Sequence, residues 1–111
     1  MELDCRYVLH IPLSRWENGK IMPLDMDEPI SELMELLEDK GFDSFYVTKV
    51  EGHYKSRKYD ELLVTIFADD DDSPIAIFRQ WFSKNNGELC QEAFAYEFNN
   101  RMIVENLRLT K

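Results

Sequence analysis

The chain has 111 residues, of which 44% are apolar, with two Trp, five Tyr and seven Phe; that is enough to bury one core, and it excludes disorder over most of the length. Twenty-two acids against thirteen bases give a net charge of −9, which excludes a surface that is broadly attractive to nucleic acid or to anionic membranes. The longest apolar runs are a few residues, far short of a membrane span, and Met1-Glu2-Leu3-Asp4 lacks the basic and apolar stretches of a secretory signal, so a cytoplasmic home is the expectation.

Residues 6–14 alternate, with Tyr7, Leu9, Ile11 and Leu13 on one face and Val8, His10 and Pro12 on the other. That is a strand. Pro12 cannot donate to a ladder, so the strand lies at an edge there or ends there. Asn18-Gly19 is a strong hairpin signal, and residues 20–22 are expected to fold back beside Trp16. A helix follows: Asp27 is its expected cap, Pro29 falls in its first turn, and Gly41 closes it in a left-handed conformation. Ile30, Leu33, Met34 and Leu37 form its buried stripe.

Residues 42–54 and 59–67 read as two strands, joined by Lys55-Ser56-Arg57-Lys58. Ser73 and Pro74 then open a second helix, with Ser73 as cap and Pro74 as its first residue. Its buried stripe is Ile77, Phe78, Trp81 and Phe82, and Asn85-Asn86-Gly87 is expected to stop it. Residues 92–98 alternate Phe94, Tyr96 and Phe98 against Ala93, Ala95 and Glu97. Asn99-Asn100 turns into a last strand over residues 102–109. The order β-α-β-β-α-β plus a terminal strand predicts a single α+β domain over residues 1–111, a ferredoxin-like split βαβ sandwich with two helices on one face of an antiparallel sheet. So widely used an architecture says little of function.

Motifs for chemistry are sparse. No GxSxG, P-loop, GxGxxG or HExxH occurs, so no catalytic residue and no cofactor are assigned and a non-enzymatic role is expected. Cys5 and Cys90 make neither a disulfide framework nor a zinc signature and read as two buried, reduced thiols. His10 and His53 lie on strands that could be neighbours, but neither has a visible carboxylate or third-ligand spacing. The run Asp69-Asp70-Asp71-Asp72 lacks the spacing and glycine of an EF-hand, so no metal is expected, and its acids sit before a helix start, where they are favourable.

Charge arrangement carries more. Glu28, Glu32, Glu35 and Asp39 fall at i, i+4, i+7 and i+11, along one stripe of the first helix, and residues 21–39 hold seven acids and no base. Like charges at that spacing repel, so the row predicts either a solvated face or a surface kept for a cationic partner. Lys49, Lys55, Arg57 and Lys58 form a secondary basic patch on one hairpin, read as protecting a sheet edge or touching an acidic protein rather than nucleic acid. Two functional readings follow. In the first, the chain is an acidic binding protein that mimics nucleic acid and inhibits a basic nuclease or similar enzyme, of the anti-defence or immunity type. Glu28, Glu32, Glu35, Asp39 and Asp69 to Asp72 then face the partner and Trp16 anchors it. In the alternative, it is a dimeric ferredoxin-like small-molecule-binding or enzyme domain, with sheets packed face to face and a pocket near His10, His53, Tyr46 and Tyr96.

Overall fold

A computed structural model describes residues 2–107. In chain order the elements are β1 (Cys5–Pro12), β2 (Ser14–Glu17), β3 (Lys20–Pro23), α1 (Asp27–Asp39), β4 (Phe45–Tyr54), β5 (Arg57–Ala68), α2 (Ile75–Leu89), β6 (Ala93–Phe98) and β7 (Arg101–Asn106). Five strands form one antiparallel sheet in the order β4-β5-β1-β6-β7, and β2 and β3 form a separate two-stranded ribbon. This is the expected ferredoxin-like α+β sandwich with an added terminal strand. Residues 108 and 109 of the expected last strand lie outside the described residues.

The core lies between the sheet and the helices. Tyr7, Leu9 and Ile11 of β1, Leu62, Val64 and Ile66 of β5, and Phe94 and Tyr96 of β6 meet Leu33 and Leu37 of α1 and Phe78, Trp81, Phe82 and Leu89 of α2. The aromatic members lock together, Phe78 meeting Phe82 and Phe94 edge-on at 5.7 and 5.5 Å, a geometry that aromatic quadrupoles favour.

Three hairpins turn through pairs of residues with positive φ: Asn18-Gly19, Lys55-Ser56 and Asn99-Asn100. Such turns match the twist of the flanking strands. Register pairs Tyr54 with Arg57, so the expected four-residue turn contracts to Lys55-Ser56, two residues with no intrinsic liking for this conformation. The continuous β4 ladder from Arg57 to Ile66, with β1 holding the other side of β5 from Glu61 onward, imposes it.

Helix boundaries differ from expectation at three of four ends. In α1, Met26 rather than Asp27 occupies the cap, and the Asp27 N–H donates to Asp25 Oδ1 at 3.3 Å. Its other end behaves as expected: Gly41 has φ +90°, its N–H donates to the Glu38 carbonyl, and the Phe42 N–H reaches back to Leu37, which is the Schellman arrangement. In α2, Pro74 is the cap and not the first helical residue, and Ser73 Oγ accepts the Ile75 N–H at 3.3 Å. Asn85-Asn86-Gly87 does not stop it. The helix runs on to Leu89, which is fully buried. Burying a leucine is worth about 1.5–3 kcal/mol, which outweighs the roughly 1 kcal/mol cost of an interior glycine.

Candidate functional site

Both helices cover the same face of the sheet, and no helix among the described residues covers the other. Strand alternation puts Val8 and His10 of β1, Tyr59, Glu61, Leu63, Thr65 and Phe67 of β5, Tyr46 of β4, Glu97 of β6 and Met102 and Val104 of β7 on this open face. Tyr46, Met102 and Val104 are 52%, 56% and 61% exposed, yet Val8 and Thr65 at its centre are buried. Their longer neighbours close over them, with the Tyr46 and Phe67 rings 6.3 Å apart.

A polar cluster sits in this apolar field. His10 is directly opposite Leu63 on β5, which puts Glu61 on a diagonal; Glu97 of β6 lies on the opposite diagonal, facing Val8. Long side chains bridge such diagonals, and here both do. His10 Nδ1 is 2.9 Å from Glu61 Oε1, and Nε2 is 2.8 Å from Glu97 Oε2. A neutral imidazole has one N–H and satisfies only one ionised carboxylate; the imidazolium satisfies both. Burial by itself pushes the His10 pKa down, but the hydrogen bonds and charges of Glu61 and Glu97 outweigh it, and the net shift is upward from 6.5. With His10 as the imidazolium between two ionised carboxylates, the three groups carry one net negative charge.

Tyr59 extends the cluster along β5. Burial pushes its phenol pKa up, and the charge and hydrogen bonding of Glu61 add to the rise. Its ring lies across Gly52 of β4, directly opposite, where an added Cβ would come within 2.6 Å of Tyr59 Cε2. Gly52→Ala is therefore expected to swing the ring away and to destabilise by about 1–2 kcal/mol in a urea titration, an overpacking cost. In a Tyr59→Ala background the same change should cost little; equal costs in both backgrounds would refute the close approach.

The expected histidine pair does not form. β5 lies between β1 and β4, and alternation sends His53 to the other face, near the hairpin tip opposite Lys58. There it contacts Glu51 at 2.8 Å. Tyr96 is likewise buried on the helix-covered face, so of the four residues expected around a pocket only His10 and Tyr46 share a surface. Glu61 and Glu97 were missed because they are 51 and 87 residues from His10 in sequence.

The acidic stripe of α1 is not uniformly bare. Glu28, Glu35 and Asp39 are exposed, but Glu32 is half-buried and accepts a 2.7 Å hydrogen bond from Lys84 Nζ of α2. Asp69 to Asp72 are exposed and form a turn of their own, with the Asp71 N–H donating to Asp69 Oδ1 at 3.1 Å. The basic patch is partly occupied within the fold: Arg57 lies over the Trp16 ring at 4.4 Å, Lys55 over Tyr54 at 5.3 Å, and Lys58 is 3.8 Å from Glu51. Trp16 is thus a partner of the basic hairpin. Cys5 is buried as expected and its thiol pKa is pushed up by that burial and by Asp70, Asp4 and Asp69. Cys90 is exposed, contrary to expectation, because it ends α2 in a left-handed turn.

No family model and no curated protein matches the sequence. Among solved structures, the fold resembles a phage SAM lyase in complex with S-methyl-5′-thioadenosine, with a TM-score of 0.55, 9% identity, and 96% of this chain and 92% of that chain covered. The likeness is one of fold, and it is to an enzyme. It corrects the inhibitor reading, whose premise of an uncompensated acidic row also fails at Glu32.

Proposed function

We propose that this chain is a small-molecule-binding or enzyme domain whose site lies on the open sheet face around His10, with a second copy of the chain completing the enclosure. The observation that carries this reading is the grip of two carboxylates on both nitrogens of one histidine, in a largely apolar sheet face that no helix covers. The cluster can hold or relay a proton at His10, and its residual negative charge suits a ligand bearing positive charge. The exposed Tyr46, Met102 and Val104 around it supply the apolar surface that a second copy would bury. The enzyme with which this fold is shared supports the same class of function, and its substrate and bound ligand make adenosyl sulfur compounds the first to test.

The test is calorimetric titration with S-adenosylmethionine and with S-methyl-5′-thioadenosine, alongside sedimentation to give the mass in solution. Binding is expected, and Glu97→Gln should weaken it by about tenfold, the loss of one charge-assisted contact. No heat with either compound, together with a monomer at all concentrations, would overturn the proposal.

A further inference from the structure

On the helix-covered side, across the sheet from His10, a cavity of about 420 Å³ opens between the start of α2 and the β6–β7 hairpin. Its walls are aromatic and aliphatic: Tyr7, Phe98, Ile103 and Ala76 among them. Tyr7 and Phe98 pack with their centroids 4.9 Å apart. Tyr7 is only 7% exposed, and among the described residues its hydroxyl finds no hydrogen-bond partner. The ring is buried but its hydroxyl is not sealed off, since among the described residues the fully buried side-chain polar atom without a partner is Ser14 Oγ; the Tyr7 hydroxyl is open to a molecule in the cavity.

The polar groups at this cavity are matched in kind. Arg79 donates through Nε and Nη2 to Glu105 at 2.9 and 2.8 Å, and the Tyr96 hydroxyl donates to Glu105 at 3.1 Å. Arg79 therefore brings a donor but no net charge. Ser73 Oγ already accepts the Ile75 N–H, which leaves its own hydrogen to donate. The start of α2 leaves the N–H of Ala76, which lines the cavity, without an intrahelical acceptor. Donors thus outnumber acceptors, while Asp69 to Asp72 immediately before α2 oppose an anion. Such a cavity wants hydrogen-bond acceptors on a flat, uncharged body.

We propose that this cavity is a second ligand site, distinct from the His10 face, for a neutral aromatic molecule carrying a hydrogen-bond acceptor, with the Tyr7 hydroxyl as its donor. The volume falls within the range of small-molecule pockets. The proposal does not depend on the function assigned to the open face, since no residue is shared.

The probe is quinoline, whose ring nitrogen is an uncharged acceptor at pH 7.5. Titration should shift the methyl NMR signals of Ala76 and Ile103 saturably. Tyr7→Phe keeps the ring and removes only the hydroxyl, and it should raise the dissociation constant by about fivefold, the loss of one neutral hydrogen bond. A melting curve of the variant confirms that it is folded. No saturable shift in the wild type, or equal affinity in Tyr7→Phe, overturns the proposal. Naphthalene-2-carboxylate, which puts an anionic acceptor on the same bicyclic frame, should bind more weakly than quinoline; tighter binding would overturn the neutral-ligand assignment.

Discussion

Replacing His10 by leucine is expected to lower stability by about 2–3 kcal/mol at pH 5.5, and by distinctly less at pH 9. The His10 side chain is 17% exposed, and those of Glu61 and Glu97 are 14% and 27% exposed. Removing one member of a fully buried ion pair costs about 3–5 kcal/mol because the abandoned charge stays desolvated; residual solvent reduces that here. The pH dependence follows from the upward shift of the His10 pKa. Folded His10 holds its proton more tightly than the unfolded chain, so this stabilisation is complete below about 6.5 and is lost as pH rises through the folded-state value. Above that, neutral His10 still donates to one carboxylate, and part of the difference survives. Urea titrations of both proteins at the two pH values measure it. A gap that stays constant would mean that folding does not raise the His10 pKa, and the charged cluster would be refuted.

The architecture was legible in the sequence because its signals are local. Alternation exposed β1 and β6, the 3.6-residue stripes exposed both helices, and Asn-Gly and Asn-Asn marked two hairpins. Where local signals misled, burial decided: Leu89 carries α2 past Gly87, and the β4–β5 register forces Lys55-Ser56 into a turn that neither residue favours. The site was not legible, because a single sequence does not give the pairing of β1 with both β5 and β6. Glu61 and Glu97 reach His10 along diagonals of the sheet, and each looks like an ordinary outward-facing strand residue. One signal was present: with Pro12 ending β1 and alternation fixing the outward face, a charged residue between Tyr59 and Leu63 on the same face of β5 was an anomaly. The acidic stripe misled for a related reason. Its spacing is a property of one helix, whereas Lys84, which engages Glu32, arrives from the other.

Among the described residues two hydrogen bonds join the helices, and their unequal weights give the second large effect. Lys84 and Glu32 lie on the surface, with side chains 66% and 43% exposed, and a pair so wet contributes about 0–1 kcal/mol. Trp81 is 2% exposed, donates its indole N–H to the Pro29 carbonyl at 2.7 Å, and packs against Phe78 and Phe82. Trp81→Ala is expected to cost about 4 kcal/mol through the cavity it leaves. That is a large share of the roughly 5–15 kcal/mol by which domains are stable. Trp81→Phe retains most of the apolar area but loses the link to Pro29, and should cost about 2 kcal/mol. Lys84→Ala should be nearly silent. Denaturant titration of the three variants gives the order directly. If Lys84→Ala matched Trp81→Phe, charge rather than packing would hold α1 to α2, and the acidic stripe would have a structural role in the folded protein.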